Sequence, residues 1–238
     1  MLRRVRGFIL RESLSWPCEP RRCRWWWEAL SCSPRPARSK RAAEPPPPPP
    51  AASFCNGKER WDIKTLSDPA AGKVNLDPAK INKVSVQSLR LKKRPPGFPE
   101  ATRSAPVETT VYEVKAALVE ARWIWDPRPG TPTKNKGDRD IHLVIAAPSD
   151  HSLTMIVEFP DPARVNAAPA VEKMIHDARN AFLACRGLMP SADKPFQKLS
   201  GTATINGVGF FDRPHTTGHA PDGIELHPVP FYNSTDRP

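Results

Sequence analysis

Two short patterns in the second half of the chain pair an acidic residue with a histidine two positions later. They are Asp140-Ile-His142 and Glu225-Leu-His227. Side chains two apart on a β-strand point to the same face, so each pattern would place a carboxylate beside an imidazole. Such groups together suit a divalent transition metal with open coordination positions. Asp140, His142 and His227 are therefore candidate metal ligands, although the identity of the ion is undetermined.

Two glutamates complete this candidate site. Glu158 ends the apolar segment "TMIVEFP", and Glu225 belongs to the second pattern. A metal held nearby could activate water for phosphodiester hydrolysis, and a carboxylate that does not bind the metal could serve as general base. Glu158 and Glu225 are the candidate catalytic residues. A structural alternative stays open, in which His227 hydrogen-bonds Asp140 or Glu225 in a polar network inside a barrel mouth.

The loop "RPHTTGHAPD" (213–222) contributes His215 and His219 as candidate ligand-binding residues. Loops on rigid scaffolds often carry function, so one hypothesis is that this loop covers a face of the fold. The alternative is that it only connects two strands and its histidines are solvated.

Three residues near the end of an alternating segment are further candidates for ligand binding. Trp123 and Trp125 share a predicted strand face with Arg122 nearby, and aromatic rings beside basic side chains can stack on nucleic-acid bases. Aromatic side chains more commonly fill a core or cover a sheet edge. Both interpretations stay open here.

The elements that would position these residues follow one another in a recognisable order. Period-two alternation, with β-branched and aromatic residues, predicts three strands at "TTVYEVKAALVEARWIW", "RDIHLVIAA" and "SLTMIVEFP". Helical spacing follows in "APAVEKMIHDARNAFLACRGL", with Pro169 in the first turn and Gly187 at the carboxyl end. Two more strands are predicted at "KLSGTATINGVGFFD" and "GIELHPVPFY".

This β-β-β-α-β-β order predicts a mainly β protein with an OB-fold-like barrel at 109–238, the type that binds oligonucleotides or oligosaccharides. An open α+β sheet is the alternative. Residues 55–108 are expected to form an extended arm, with a short strand or an extended stretch over Arg60–Leu66 that places Trp61 and Ile63 on one face, and with a turn of helix near Pro78–Asn82. No P-loop, dinucleotide fingerprint, nucleophile elbow or His-Glu-x-x-His motif occurs.

The first 54 residues have a different composition. Residues 1–50 contain ten of the 30 prolines and eleven Lys/Arg against four Asp/Glu, so much of the net charge of +11 lies there. Such a basic, proline-rich segment is expected to be a disordered extension or an artefact of a wrongly assigned start. The charge is therefore weak support for a nucleic-acid partner of the folded part. No apolar run is long enough for a signal-peptide core or a membrane span, and the compartment is undetermined.

Several segments together carry a resemblance to a group of uncharacterised bacterial proteins. They are "CNGKERWDIKTLSDP", "APVETTVYEVKAAL", "DIHLVI", "TMIVEFP" and "GVGFFD…GIELHPV", which span 55–229. The group has a Cys-x-x-x-Arg-Trp opening, to which this chain adds one residue, and a Gly-x-x-Phe-Phe-Asp…Glu-Leu-His-Pro-Val ending. The resemblance implies a domain boundary near residue 55 and implies no activity. Cys55 and Cys185 could form a disulfide, although Arg164-Val165 stands where the resemblance would place a cysteine, and a buried free thiol at Cys185 is the alternative.

Three function classes remain open. The leading one is a non-enzymatic binding module that grips an oligomeric ligand, such as nucleic acid, on the barrel face near 123–142 and 213–227. The second is a metal-dependent hydrolase resembling a nuclease. The third is a structural or partner-binding protein whose polar cluster only stabilises the fold. Convergence of both Asp/Glu-x-His patterns within about 5 Å would favour the hydrolase.

Overall fold

The computed structural model describes residues 60–123, 139–186, 195–213 and 217–234. Trp125, His215, Cys55, Gly187 and the loop 126–138 lie outside these ranges, so what the sequence predicts of them stays a prediction. Cys185 is half-buried against the core, and its pairing with Cys55 is likewise untested.

Five strands close into a barrel. They are β2 (Val111–Trp123), β3 (Ile141–Ala147), β4 (Asp150–Phe159), β6 (Thr202–Phe211) and β7 (Ile224–Leu226). Their order around the barrel is β2-β3-β4-β7-β6, and β6 pairs with β2 to complete the ring. The β4–β7 pair is parallel and the other pairs are antiparallel. Helix α3 (Pro169–Arg186) lies between the third and fourth barrel strands in sequence. The OB-like prediction is confirmed, and ring closure excludes the open sheet.

Short elements extend the barrel. Strand β1 (Asn82–Lys83) adds to β2 in parallel, β5 (Gln197–Lys198) pairs with β2, and β8 (Phe231–Asn233) pairs with β6. Each of the last two predicted strands is therefore split into two pieces. Gly201, with φ of +90°, interrupts the first. Pro228 and Pro230 interrupt the second, because proline has no backbone N–H for a ladder bond.

The barrel interior is apolar because the strands alternate. Ile141, Leu143 and Ile145 of β3 join the main core with residues of the other strands, and Phe182 of α3 stacks on Phe159 at a centroid distance of 4.9 Å. On β3 and β4, the residues that alternate with these apolar ones point away from the barrel interior. Asp140, His142 and Glu158 therefore lie on the outside of the barrel, not in its mouth.

The segment before the barrel forms short helices: α1 (Trp61–Lys64), α2 (Val86–Arg90) and 3₁₀ turns at Ala71–Lys73, Pro78–Lys80 and Val107–Thr109. Helix α2 packs on the main core through Val86 and Leu89. The predicted short strand at 60–66 is wrong, and the segment is not a single extended arm. Apolar residues two apart, such as Trp61 and Ile63, also fit one helical turn, and both are buried there. The predicted turn of helix near residue 78 is present. No described helix has the length and apolarity needed to cross a membrane.

Candidate metal centre on the outer face of the barrel

Three candidate residues converge on the outer face. His142 on β3 and Glu158 on β4 are directly opposite each other in the strand register. His227 directly follows β7, whose Leu226 pairs with Val157 of β4. One donor atom from each of Asp140, Glu158 and His227 lies within 4.8 Å of the others, and all three residues are buried. The barrel thus joins the two Asp/Glu-x-His patterns that the sequence singled out.

The imidazole of His227 stands between two carboxylates. Its Nδ1 lies 2.5 Å from Glu158 Oε2, and its Nε2 lies 3.3 Å from Asp140 Oδ2. The Nδ1 contact with Glu158 is within hydrogen-bond distance, whereas Nε2 has no partner with hydrogen-bond geometry, although the residue is fully buried. On the other side of the carboxylate, His142 Nε2 contacts Glu158 Oε1. A buried polar atom without a directed hydrogen bond calls for an explanation, and one explanation is an ion that is bound there. Imidazole and carboxylate groups that surround a shared ion would face each other in this way.

A second group of donors adjoins the first. Glu158, Asp212 and Glu225 each place a carboxylate oxygen within 4.8 Å of the others. Glu225 lies on β7 opposite Phe210 of β6, and Asp212 follows β6, where its N–H donates to Gly223 O at 2.8 Å. Glu158 belongs to both groups. We call the whole set the Glu158 cluster; its members are Lys64, Asp140, His142, Glu158, Asp212, Glu225 and His227.

Lys64 is the cation of the cluster, and neither Asp/Glu-x-His pattern pointed to it. Its ammonium lies 2.9 Å from Asp212 Oδ2 and 3.3 Å from Glu158 Oε2, and its side chain is 2% exposed. It also stands 5.5 Å from the centroid of Phe210, whose ring face attracts cations. The predicted strand over 60–66 obscured this role, because it placed Lys64 opposite to Trp61 and Ile63. Treating 61–64 as a helical turn would have placed Lys64 beside the buried Trp61.

Two side chains at the start of helix α1 hold it in place. The Trp61 indole N–H donates to Arg164 O at 3.0 Å. The Arg60 guanidinium makes two short bonds to Glu108, at 2.6 and 2.7 Å. These contacts hold the backbone that delivers the Lys64 ammonium to the cluster.

Burial and charge set the protonation states. Burial alone would raise the pKa of Glu158, but the charges of His142 and Lys64 hold that pKa well below its usual range. Burial lowers the pKa of His227 despite the neighbouring Glu158 carboxylate. Glu158 is therefore ionised at neutral pH and His227 is a neutral imidazole. These are the forms in which a carboxylate and a histidine bind metal ions.

The described part of the 213–222 loop lies against the outer face. A Cβ at Gly218 would stand 2.7 Å from both methyl groups of Val144, which follows His142 on the same face of β3. His219 is half-buried, and its Nδ1 is buried without a hydrogen-bond partner. Among the described residues, neither donor group includes His219. Its predicted role in ligand binding stays a prediction.

The aromatic candidate lies away from the cluster. Trp123 pairs with Ile141 and packs against the core, and the Arg179 guanidinium lies 4.4 Å over its ring. Arg122 pairs with His142, is exposed, and lies over Phe196 at 4.8 Å. Because strand neighbours face opposite sides, Trp123 lies on the side of Ile141 and Arg122 lies on the side of His142. The predicted role of Arg122, Trp123 and Trp125 in ligand binding stays a prediction.

Comparisons with known proteins add little. No protein-family model matches the chain, and no curated protein matches it. A solved structure described as an aspartyl-tRNA synthetase from Leishmania major Friedlin is similar over 69% of this chain, at 12% sequence identity and a TM-score of 0.35. The match spans 22% of the synthetase chain. A likeness at this level carries no argument about the function of this protein.

Proposed function

We propose that this protein is a metal-dependent hydrolase that cleaves phosphodiesters and holds its ion with Asp140, Glu158 and His227. The convergence of these three donors from β3, β4 and the end of β7 carries the proposal. Two carboxylates and one neutral imidazole form a donor set for a divalent ion, and they leave coordination positions open.

The charge of the cluster supports a bound cation. Asp140, Glu158, Asp212 and Glu225 are four carboxyl groups, of which Asp212 alone is not fully buried. Lys64 contributes an ammonium to the cluster, and the positive charge of Arg179 acts on Asp140 from outside it. Bringing several carboxyl groups together in a buried site is costly, and a divalent ion would remove much of that cost.

We assign different roles to different members of the Glu158 cluster. The bound ion would supply a Lewis acid and lower the pKa of a water molecule. Glu225, outside the first donor group, is the proposed general base. His142 borders the ion site and is slightly exposed, at 7%, so it marks a side from which substrate could approach.

Basic side chains near Asp212 favour an anionic substrate. Arg213 follows Asp212 and is exposed, whereas the charge of Lys93 is paired with Asp222 at 2.9 Å. Arg94 lies over Phe98 at 4.9 Å, with its Nη2 beside Gly223. Positive charge around a recessed site attracts phosphate groups before chemistry begins.

A second candidate function is structural. The contacts of Lys64 with Glu158 and Asp212 favour it, because an internal ion pair can stabilise a fold without any ligand. The binding-module hypothesis stays a prediction, and Trp123 would not contribute to it from this face.

Metal content of the full-length protein tests the proposal. After dialysis against Mn²⁺, Zn²⁺ or Mg²⁺, elemental analysis should give a stoichiometric ion in the native chain. A His142→Ala/His227→Ala double variant should lose it, and Asp177→Asn, an exposed acid on α3, should keep it. Hydrolysis of bis(p-nitrophenyl) phosphate should follow the metal.

Folded native protein without metal would overturn the proposal and leave the structural candidate. Metal without phosphodiester cleavage would retain the site and reject the substrate class. Circular dichroism of each variant separates loss of metal from loss of fold.

A further inference from the structure

We propose that the half of the cluster formed by Glu158, Asp212 and Glu225 is a second cation position, and that Lys64 occupies it with a built-in ammonium. The native protein would then bind one metal ion where its donors could hold two. This inference extends the proposed function, and its test separates the two.

The geometry supports a cation at this position. Three carboxylate oxygens from different parts of the chain lie within 4.8 Å of one another, as oxygen ligands around a hard cation would. The Lys64 Nζ contacts two of these residues, at 2.9 Å and 3.3 Å. The ring of Phe210 adds a further favourable surface for positive charge. The position therefore already holds a cation, supplied by the chain itself.

The position of the Lys64 ammonium is held by its burial and by the contacts of α1. Lysine ammonium groups are strongly hydrated and seldom fully buried, so a side chain with 2% exposure needs strong compensation. The Trp61 bond to Arg164 O and the Arg60 pair with Glu108 hold α1 in place. A solvent cation could enter this position only if the ammonium left it.

Glu158 links the two positions. It contacts both His227, a ligand of the first site, and Lys64 at the second. Two cations that share a carboxylate are the arrangement by which two-metal hydrolases clamp both sides of a phosphate. With Lys64 in place, the protein would offer one metal ion and one fixed ammonium to an anionic substrate.

Substitution of Lys64 in the full-length protein tests this inference. Metal-free Lys64→Met is titrated with Mn²⁺, and bound ions are counted by equilibrium dialysis and elemental analysis. We expect two ions per chain in Lys64→Met and one in the native protein. The exposed Lys115→Met control should bind one ion.

A second set of variants separates this inference from the proposed first site. Adding His227→Ala to Lys64→Met should leave one ion, and further adding Asp212→Asn should remove it. A native chain without metal, together with a Lys64→Met chain that binds one ion, would reject the first site and retain the second position. Folded Lys64→Met that binds no more Mn²⁺ than the native chain would overturn the inference.

The inference stays testable if Lys64→Met does not fold without metal. Refolding of Lys64→Met or Lys64→Gln on addition of Mn²⁺, with two ions bound, supports the second position. Failure of both variants to fold in millimolar Mn²⁺ would overturn it, because an ion at that position should replace the missing charge.

Discussion

Two buried charged clusters lie on the same side of the barrel, and they are built differently. The first, which we call the Arg60 cluster, consists of Arg60, Asp68, Arg103 and Glu108. It has two cations and two anions. The Glu108 carboxylate accepts bonds from both Arg60 nitrogens and from the N–H groups of Ser104 and Phe211. Every oxygen there is used within the protein.

The Glu158 cluster has a different composition. It brings four carboxyl groups, two imidazoles and one ammonium together, and each of its two donor groups places three ligand atoms within 4.8 Å of one another. A cluster of paired cations and anions, with every oxygen hydrogen-bonded, holds a fold together, whereas converging carboxylate and imidazole donors are also the groups that bind metal ions.

The largest expected effect comes from the Arg60 cluster. Glu108→Gln should destabilise the protein by about 3–5 kcal/mol, because it leaves the buried Arg60 guanidinium without its counter-charge. Urea unfolding measures this, with Glu100→Gln, whose side chain is exposed, as control. A loss below about 1 kcal/mol would contradict the structural role assigned to the Arg60 cluster.

The next effect should come from the loop that positions Asp212. A Cβ at Gly223 would stand 2.1 Å from Asp212 O, and Gly223 has φ of +68°. Gly223→Ala should therefore cost about 2–4 kcal/mol and weaken metal binding. Gly97→Ala is the matched control, since Gly97 has φ of +65° with nothing within 4 Å, and it should cost about 1 kcal/mol. Thermal denaturation measures both variants. If Gly223→Ala and Gly97→Ala lost the same stability, the predicted clash with Asp212 O would be contradicted.

The sequence predicted the barrel because its strands must alternate around an apolar interior. Ile141, Leu143 and Ile145 reveal that alternation directly, and α3 shows its own period. The same rule placed Asp140 with His142 and Glu225 with His227. It could not show which strand pairs meet, because ring order depends on contacts between distant residues.

Lys64 and the surroundings of Trp123 show what the sequence could not reveal. A lysine beside apolar residues normally indicates a solvated position, and only the packing of α1 on the barrel makes Lys64 internal. Trp123 and Arg122 are on opposite sides of β2, and sequence alone could not show that Arg179 would lie over the Trp123 ring, because that contact joins distant parts of the chain.

An intermediate effect is expected when a divalent ion is added, because the ion should stabilise the protein through the Glu158 cluster and not through the Arg60 cluster. At a divalent-ion concentration of about 100 times Kd, the native protein should gain about 2.7 kcal/mol. The His142→Ala/His227→Ala variant should gain none, whereas Asp177→Asn, outside both clusters, should gain as much as the native protein. Thermal denaturation with and without EDTA measures both. An equal gain in the double variant would place the ion elsewhere.

The smallest effect should come from a matched substitution in the Glu158 cluster. In metal-free protein, Glu225→Gln should change stability by less than about 1 kcal/mol, because it keeps the shape of the side chain and removes one carboxyl group from a site that brings four together. Urea unfolding beside Glu108→Gln gives the comparison. A loss as large as that of Glu108→Gln would make both clusters structural.

Strand β7 is only three residues long, yet it closes the ring between β4 and β6. Its parallel pairing with β4 brings Glu225 and His227 beside Glu158, nearly 70 positions earlier in the chain. Such long-range pairing is a slow step in folding, since the intervening chain must first be ordered. Metal binding at the proposed site would therefore occur late in folding, after β7 has paired with β4. A nascent chain that has not yet emerged past Ile224 would have no centre to load.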